Sequence, residues 1–365
     1  MSKPFVVIAA GGTGGHMFPA AAFAEEMRQR GWRVVLMTDA RGRRYAENFP
    51  AERVEDVAAA SPSLNPLKAI PAALKIWRGV NQAKRRFAEL KPALVAGFGG
   101  YPSFPALMAA RAHKVPILIH EQNSVLGRVN RSLATSAATV ACGFERLDRL
   151  PAEAQHRKRV VGNPVRQPIL DARARPYPEA PAGGRLNLLI IGGSQGARIF
   201  GEVIPVAIAM LPAELRARLD VVHQVREERL EQARSVYVAA GVNAEVAPFF
   251  SNMGELLGAA HLVIARAGAS SVTELQVAGR PAILVPFAAA ADDHQSANAE
   301  GLTSVGAADL IAEAAFEPAA LADLLGKRLS DNHGLAVRAA AARASAKPDA
   351  AKALADLAEA AARNA

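Results

Sequence analysis

Short apolar segments alternate with longer segments of helical periodicity in the first half of the chain. FVVIAA (5–10), WRVVLMTD (32–39), ALVAGFGG (93–100) and VPILIHE (115–121) are the apolar segments. Strands that are apolar on both faces are typical of a parallel sheet covered by helices on each side. The alternation therefore predicts a doubly wound α/β domain.

The pattern begins again after a proline- and arginine-rich stretch at 173–184. RLNLLIIGG (185–193) runs into a second glycine turn, and further apolar segments follow at 219–225, 261–268 and 280–287. We therefore predict two Rossmann-like doubly wound α/β domains that face each other across a cleft. The N-terminal domain would span 1–164 and the C-terminal domain 165–342. The alanine-rich tail, about Gly334 to Ala365, has high helix propensity and is expected to pack as a terminal helix.

The composition of the chain limits the kinds of protein it can be. A chain of 365 residues supports two domains, and 51% hydrophobic with 21% charged residues excludes a mainly disordered protein. The net charge of 43 − 34 = +9 predicts an anionic partner. The single cysteine, Cys142, excludes an internal disulfide framework. No apolar run approaches the roughly 18 residues of a membrane span, so we expect a soluble cytoplasmic protein.

Three glycine turns, at 11–15, 97–100 and 192–196, follow predicted strands. Such turns expose backbone N–H groups that suit phosphate, although they also serve simply to reverse the chain. The first turn lacks the dinucleotide fingerprint, because Met17 stands where G-x-G-x-x-G needs its third glycine. Asp39, at the end of the second predicted strand, has the position of the acidic residue that binds ribose in a dehydrogenase. Binding of NAD therefore remains an alternative function of the first glycine turn.

The segment RAGASSVTE (266–274) is the most informative part of the second half. Gly268 is expected to end a strand, and the small residues after it to begin a helix that favours an anion. Glu274 would accept hydrogen bonds from two ribose hydroxyls. Alternatively, Glu274 caps the helix N-terminus.

Polar residues after other strands add candidates. His16 follows the first glycine turn, where ligand contact or catalysis is favoured over a purely structural role. HEQN (120–123) and DDHQ (292–295) also follow predicted strands. Asp292 and Asp293 are better explained as helix caps than as metal ligands, and no metal site is predicted.

A basic amphipathic helix is predicted within 64–91, which holds seven basic residues and one acid. One stripe of this helix is apolar and one flank of the stripe is basic. A helix of this kind lies on an anionic membrane surface, whereas the alternative is an ordinary helix that packs its stripe on the sheet. Nucleic acid is not predicted, because no nucleic-acid-binding motif accompanies the charge. The stripe consists of Leu67, Ile70, Leu74 and Trp77, and the flank of Lys68, Lys75 and Arg78.

Six motifs together resemble one family. They are GGTGGHMFPA (11–20), GFGGYPSFP (97–105), HEQNSVLGRVNR (120–131), GNPVR (162–166), GGSQGAR (192–198) and the block 249–298. This set is similar to the MurG family of bacterial N-acetylglucosaminyltransferases. The resemblance implies the glycosyltransferase B fold, a donor site mainly in the C-terminal half and an acceptor site in the N-terminal half. It also implies that a last helix, about 343–365, returns to the N-terminal domain.

The resemblance also implies site residues. The donor, UDP-N-acetylglucosamine, would contact Thr13, Gly14, Gly15, Asn123, Arg166, Ser194, Phe250, Ala269, Ser270, Ser271, Val272, Thr273, Glu274 and Gln295. The acceptor's diphosphate would lie at Gly99, Gly100 and Tyr101. His16 is the first candidate for the general base, with His120 and Glu121 behind it. The chain departs from one common form of the pattern at Phe250, which replaces a smaller aliphatic residue, and at His294.

The reaction implied is an inverting transfer that needs no metal ion and no cofactor. The acceptor would be undecaprenyl-diphospho-N-acetylmuramoyl-pentapeptide (lipid I), met at the cytoplasmic face of the inner membrane, with cell-wall assembly proteins as further partners. The alternatives are a transferase with another lipid acceptor such as diacylglycerol, a UDP-sugar epimerase, and a non-catalytic sugar-nucleotide sensor.

Overall fold

The computed structural model describes residues 3–61, 65–179, 183–193 and 196–364. The chain divides into two compact units. Unit 1 contains the chain up to Arg166 together with the residues from Lys347 onward, and unit 2 spans Gln167–Ala346.

Unit 1 is built on a parallel sheet. Its strands are β1 (Phe5–Ala9), β2 (Arg33–Thr38), β3 (Arg53–Asp56), β4 (Leu94–Gly97), β5 (Ile117–Glu121), β6 (Thr139–Cys142) and β7 (Lys158–Val160). Its helices are α1 (Gly14–Gln29), α2 (Pro66–Leu90), α3 (Ser103–Ala112), α4 (Arg128–Leu133) and α14 (Ala350–Arg363). Among the described residues the strand order is β3-β2-β1-β4-β5-β6-β7.

Successive residues of β1 point to the two opposite faces of the sheet. Val6 and Ile8 face the layer of α1 and α14, whereas Val7 and Ala9 face the layer that contains α2 and α3. Alternation of this kind follows from the two-residue period of a strand. It explains why β1 is apolar throughout, as the sequence predicted.

Unit 2 repeats the plan. Its strands are β8 (Leu186–Ile191), β9 (Leu219–Gln224), β10 (Asn243–Ala247), β11 (Leu262–Ala265), β12 (Ala282–Leu284) and β13 (Ala308–Leu310). Its helices are α5 (Gln167–Ala174), α6 (Arg198–Ala209), α7 (Ala213–Arg216), α8 (Leu230–Ala239), α9 (Met253–Ala259), α10 (Ala269–Ala278), α11 (His294–Thr303), α12 (Pro318–Leu329) and α13 (Asn332–Ser345). In the part of the chain that is described, the parallel order is β10-β9-β8-β11-β12-β13. The prediction of two doubly wound α/β folds is confirmed.

The alanine-rich tail forms two helices instead of one. Helix α13 lies in unit 2 and α14 lies in unit 1. Pro348 explains the interruption, because the residue before a proline is pushed out of the helical region and a proline cannot continue a helix. Beyond it, Leu354 and Ala358 are buried in the core of unit 1.

Candidate functional site

Each sheet has one point at which the direction of strand addition reverses. In unit 1 this point lies between β1 and β4, and in unit 2 between β8 and β11. Open α/β sheets bind ligands outside the carboxyl ends of the strands at this point. All three glycine turns follow strands that flank these two reversal points.

The first turn leads directly into α1. Gly12 has φ +89°, a conformation that favours glycine, and α1 begins at Gly14 with Thr13 as N-cap. Within the described chain no side chain caps this end of α1, so no capping side chain competes with a ligand for its first amide groups. Asp39, the residue that a dehydrogenase would use for ribose, instead accepts a hydrogen bond from the Gly42 amide at 3.0 Å.

His16 lies in the first turn of α1 and packs against the second glycine turn. Gly99 and Gly100 have φ values of +86° and +74°. A Cβ atom at Gly99 would lie 3.4 Å from His16 Cε1, and one at Gly100 would lie 3.4 Å from His16 Cδ2. The two glycine turns therefore meet at the imidazole ring, and Tyr101 lies half-buried beside them.

A line of hydrogen bonds runs inward from His16. Its Nδ1 atom lies 2.9 Å from Gln122 Oε1, and Gln122 Nε2 lies 3.0 Å from His120 Nδ1. His120 Nε2 lies 3.0 Å from the carbonyl oxygen of Gly162. His120 is buried, and burial lowers its pKa to about 4 despite the opposing effect of the Gly162 carbonyl. It is therefore neutral at physiological pH, with both ring nitrogens engaged.

Glu121 is a buried carboxylate that organises the loop after β5. Its Oε1 atom accepts hydrogen bonds from the backbone and side-chain amides of Asn123, each at 3.1 Å. Its Oε2 atom accepts from the Gly127 amide at 2.9 Å and from Asn130 Nδ2 at 2.8 Å. Since these bonds use Glu121, and the ring nitrogens of His120 are engaged, we expect neither residue to take the acceptor's proton. His16, the third candidate base, is half-buried.

Other predicted donor contacts of unit 1 take different positions. Thr13 and Gly15 are exposed at the start of α1, and Gly14 is buried there. The guanidinium of Arg166 lies 4.2 Å from the centre of the Phe18 ring. This stacking holds Arg166 near the N-terminal turn of α1, on which Phe18 lies.

In unit 2 the third glycine turn follows β8. The amide of Gly192 donates to Gln224 Oε1 at 3.1 Å, and Gln224 Nε2 donates to the Pro248 carbonyl at 3.2 Å. Gln224 thus connects the turn to the loop that contains Phe250. Ser194, a predicted donor contact, lies outside the described residues.

Helix α10 begins at the second reversal point. Strand β11 ends at Ala265, so the prediction that Gly268 ends the strand is wrong; Gly268 is the N-cap of α10. Ser270 Oγ is buried and, among the atoms described, has no hydrogen-bond partner. Three small residues, Ala269, Ser270 and Ser271, form the first turn, as the sequence predicted.

The remaining candidates on α10 differ in how far their side chains are buried. Glu274 is half-buried and lies beyond the first turn, so the alternative that it caps the helix N-terminus is excluded. The side chains of Val272 and Thr273 are buried, and that of Val272 is fully enclosed. Contact of Val272 with a nucleotide would therefore have to come from its backbone.

The loop after β12 is braced by side chains that the sequence did not single out for this role. The buried Arg266 Nη1 atom donates to the carbonyls of Val285 and Pro286, each at 3.1 Å, and pairs with Glu313 at 2.7 Å. Gln295 Oε1 accepts from the Phe287 amide at 2.9 Å, so the oxygen of this predicted sugar ligand holds the loop.

The sequence predicted that Asp292 or Asp293 caps a helix. Asp293 is the N-cap residue of α11, but its carboxylate accepts from the Ser296 hydroxyl at 2.7 Å, and no described side chain caps the backbone there.

Phe250, a predicted donor contact, is buried, so a contact with the donor would come from its main chain.

The predicted amphipathic helix is α2, and its N-terminal half exposes its apolar stripe. Leu67, Ile70, Leu74 and Trp77 are 86%, 76%, 46% and 63% exposed. The alternative that this stripe packs on the sheet is therefore wrong. Lys75 and Arg78 are exposed on the flank, and the side chain of Lys68 lies outside the described residues.

A different face of α2 makes the contact with the core. Ala83, Phe87 and Leu90 are buried. Gly79 permits the close approach, because a Cβ atom there would collide with the carbonyl oxygen of Ala58.

The described residues contain neither a metal-binding cluster nor a helix that could span a membrane. No group of three or more His, Cys, Asp or Glu side chains in that part of the chain is arranged to hold a metal ion. No helix of the described chain combines the length and apolar character needed to cross a bilayer.

Comparison with known proteins identifies the family. The profile described as glycosyltransferase family 28 N-terminal domain matches residues 6–142, and the one described as glycosyltransferase family 28 C-terminal domain matches 187–354. A relative from Maricaulis maris, named UDP-N-acetylglucosamine–N-acetylmuramyl-(pentapeptide) pyrophosphoryl-undecaprenol N-acetylglucosamine transferase, is 56% identical over 96% of this chain and 95% of its own. A relative of the same name from Caulobacter vibrioides is 51% identical over the full length of both chains.

A solved structure agrees with these relatives. The crystal structure of MurG from Acinetobacter baumannii is 33% identical, with a TM-score of 0.79 over 98% of this chain and 99% of that one. Full-length identity at this level, together with two matching family domains, establishes kinship over the whole chain. The chain belongs to glycosyltransferase family 28 and, within it, to the MurG transferases.

Proposed function

We propose that this chain transfers N-acetylglucosamine from UDP-N-acetylglucosamine to the muramoyl 4-hydroxyl of lipid I, forming lipid II. The observation that carries the proposal is the 56% identity, over 96% of the chain, to a transferase named for this reaction. The arrangement at the two reversal points supports it, because each unit places glycine turns or a helix N-terminus where a phosphorylated ligand binds.

The reaction is a single displacement with inversion. The acceptor's 4-oxygen forms a bond to the anomeric carbon while the bond from that carbon to the UDP oxygen breaks. UDP leaves with the electron pair, and the hydroxyl proton passes to His16. A histidine suits this step because its unperturbed pKa lies near neutral pH.

Unit 2 is assigned the nucleotide. Negative charge grows on the departing diphosphate, and the outward-facing amides at the start of α10 are placed to stabilise it. The hydroxyl of Ser270, which has no hydrogen-bond partner among the described atoms, is assigned to the same ligand. The half-buried Glu274, one turn further along, is assigned to the ribose hydroxyls.

Unit 1 is assigned the acceptor. Gly99 and Gly100 would present their backbone to the lipid diphosphate close to His16, against whose ring they pack. A side chain at either glycine would be strained by the positive φ, and its Cβ atom would crowd Asn130 Nδ2 at 3.3 Å from Gly99 or the Gly11 carbonyl oxygen at 3.0 Å from Gly100. The loop would therefore both bind the diphosphate and lie against the imidazole ring of His16.

The exposed stripe of α2 is assigned to the membrane. Its four apolar side chains are rimmed by Lys75 and Arg78, an arrangement that fits insertion into an anionic leaflet. Because the nucleotide sugar is a cytoplasmic metabolite, we place the enzyme peripherally on the cytoplasmic face of the inner membrane. Lipid I would then be reached without a spanning helix.

The test is release of UDP from UDP-N-acetylglucosamine with and without a short-chain lipid I analogue, in the presence of EDTA. Acceptor-dependent release that survives EDTA is expected. The His16→Ala variant should lose about 10²–10⁴-fold in kcat and keep its affinity for UDP. UDP binding without acceptor-dependent release would contradict the proposal and favour another acceptor or a sensor.

A further inference from the structure

A backbone carbonyl determines where the proton of His120 lies. The oxygen of Gly162 lies 3.0 Å from His120 Nε2, and a carbonyl oxygen only accepts hydrogen bonds. Nε2 therefore carries a proton. Because burial lowers the pKa of His120 to about 4, the ring is neutral at physiological pH and its Nδ1 atom carries none.

His120 in turn orients the side-chain amide of Gln122. The Nε2 atom of Gln122 lies 3.0 Å from His120 Nδ1 and 3.1 Å from the backbone oxygen of His120. Both of these atoms are acceptors, so the NH₂ group of Gln122 must face them. Rotating the amide by 180° would place its oxygen against two acceptors and leave a buried pair unsatisfied.

The oxygen of the same amide faces His16. Gln122 Oε1 lies 2.9 Å from His16 Nδ1 and only accepts, so Nδ1 must carry the proton of the neutral ring. We propose that Gln122 is a positioning residue that holds His16 in the Nδ1–H tautomer and leaves its Nε2 atom as the proton acceptor. The catalytic part of this inference rests on the proposed transfer reaction, whereas the tautomer does not.

The surroundings of Gln122 and His16 support this orientation of the two side chains. Gln122 is buried, and its backbone oxygen accepts from Asn163 Nδ2 at 3.0 Å. Gly99 and Gly100 lie beside the imidazole of His16, where a Cβ atom added at either glycine would come within 3.4 Å of the ring. The tautomer of His16 is thus set by a series of hydrogen bonds that ends at the carbonyl oxygen of Gly162. This oxygen does not titrate, so it remains an acceptor at any pH near neutrality.

The arrangement also favours the protonated state that catalysis creates. When Nε2 receives the proton, His16 becomes an imidazolium and its Nδ1–H bond to Gln122 becomes charge-assisted, which strengthens it. An exposed histidine in water favours the opposite tautomer, in which Nε2 is already protonated and cannot accept. Gln122 would therefore raise the fraction of enzyme that is competent to take the proton.

The tautomer is measured directly by ¹⁵N NMR of the free protein labelled at its eight histidines. The His16 signals are identified by their absence in His16→Ala. A protonated Nδ1 and a bare Nε2 are expected in the wild type, with loss of that preference in Gln122→Met. Gln122→Glu should retain it, since a protonated carboxyl group can donate to His120 and accept from His16. Gln155→Met is the matched control, because Gln155 is another glutamine of unit 1 that binds a backbone carbonyl, that of Leu150.

Kinetics then test the consequence. Gln122→Met should lower kcat by about 10-fold, less than the loss expected for removing a general base, with little change in KM for UDP-N-acetylglucosamine. The acidic limb of its pH profile should move to lower pH, because the imidazolium loses its acceptor, whereas that of Gln122→Glu, whose protonated carboxyl group still accepts from His16, should stay near the wild-type position. If Gln122→Met fails to fold, the wild-type tautomer and the retention of that tautomer in Gln122→Glu still decide.

The outcomes separate the two proposals. A wild-type His16 protonated at Nε2, or a Gln122→Met variant with unchanged tautomer and pH profile and only a lower Tm, would overturn the positioning role. A wild type that shows the Nδ1–H tautomer but releases no UDP with lipid I would instead overturn the proposed reaction and leave the positioning of His16 intact.

Discussion

Leu74 and Phe87 belong to the same helix and point in nearly opposite directions. At about 100° per residue their thirteen-residue separation places them roughly 140° apart round the axis of α2. Phe87 is 1% exposed and Leu74 is 46% exposed. Helix α2 therefore has two apolar faces, one that belongs to the core and one that the fold leaves uncovered. An uncovered stripe with a basic flank is the basis for the membrane assignment.

Replacing Leu74 and Trp77 together by glutamate should release the protein from anionic vesicles. Full burial of one such side chain is worth about 1.5–3 kcal/mol, and each glutamate also adds repulsion from the headgroups. We expect the apparent Kd for vesicles of phosphatidylglycerol and phosphatidylcholine to rise by at least about 10-fold. Sedimentation with the vesicles measures this directly.

A matched change elsewhere distinguishes a membrane surface from general stickiness. Val238 on α8 is 78% exposed and lies in unit 2, so Val238→Glu should leave vesicle binding unchanged. Turnover of a water-soluble acceptor analogue should be the same in all variants. Equal sedimentation of the double variant and the wild type would contradict the assignment.

Arg280 should contribute strongly to the stability of unit 2. Its buried guanidinium donates to the carbonyls of Leu257 and Gly258 at 2.6 and 2.7 Å, and of Ala278 and Gly279 at 2.9 and 3.0 Å. These carbonyls lie at the C-terminal ends of α9 and α10, where a cation is favoured. Arg280→Met leaves buried acceptors unpaired, and we expect the free energy of unfolding to fall by at least about 2 kcal/mol.

Urea unfolding measures the change, and Arg226→Met supplies the comparison. The Arg226 side chain is 45% exposed and pairs with Glu228 on the surface, so its loss should cost less than about 1 kcal/mol. Equal effects of the two substitutions would show that the carbonyl contacts of Arg280 add nothing beyond a surface ion pair.

Most interior strands were predicted from the sequence, whereas the edge strands β3, β7, β10 and β13 and the interior strand β6 were not. Strands β1, β4 and β11 are covered on both faces and are therefore apolar throughout, and β8 is apolar except for Asn187, which gives a clear signal. By contrast, β3 has the sequence RVED and β7 the sequence KRV, and both lie at an edge of the unit 1 sheet. Edge strands carry charged residues that prevent pairing with other chains, so their composition resembles that of a loop.

In the candidate site, too, some features could be predicted from the sequence and others could not. The glycine turns could be placed at the carboxyl ends of strands because glycine marks a local backbone requirement. The contact between His16 and Gln122 could not, since it joins residues 106 positions apart and depends on β5 lying two strands from β1. A polar residue directly after a buried strand was the available signal for Gln122. The same signal marks Gln224 at the end of β9.

Ser270→Ala should weaken nucleotide binding without destabilising the protein. The Ser270 hydroxyl is buried at the start of α10 and, in the described structure, unpartnered. Removing an unsatisfied polar atom costs no native hydrogen bond, whereas losing a hydrogen bond to UDP costs about 0.5–1.5 kcal/mol. Isothermal titration should show a Kd for UDP raised about 2- to 10-fold, with Tm unchanged or slightly higher.

Ser235→Ala provides the control for Ser270. Ser235 lies on the exposed side of α8, where its hydroxyl donates to the Gln232 carbonyl at 2.9 Å, and its loss should not change UDP affinity. If Ser270→Ala binds UDP as tightly as the wild type, the first turn of α10 does not use this hydroxyl for the nucleotide.

His223 should make the protein less stable as the pH falls. Burial lowers the pKa of His223 to about 3, and its Nδ1 atom lies 2.9 Å from the Tyr237 hydroxyl. The unfolded residue has a pKa near 6.5, so between pH 6.5 and about 3 the unfolded state binds one more proton than the folded state. The free energy of unfolding therefore rises with pH across this window, by up to about 1.4 kcal/mol per pH unit for this one group.

The variant His223→Gln removes the titration and keeps an acceptor for the Tyr237 hydroxyl. Urea unfolding at several values between pH 4.5 and 7.5 should give a shallower dependence than in the wild type, by the equivalent of about one proton near pH 5, where the unfolded histidine is charged and the buried one is not. Carboxylates contribute equally to both proteins and cancel in the difference. His156→Gln, on the exposed surface, should leave the wild-type slope unchanged. Parallel curves for wild type and His223→Gln would mean that His223 takes up its proton in the folded protein at the same pH as in the unfolded chain, which a side chain enclosed in the core of unit 2 should not do.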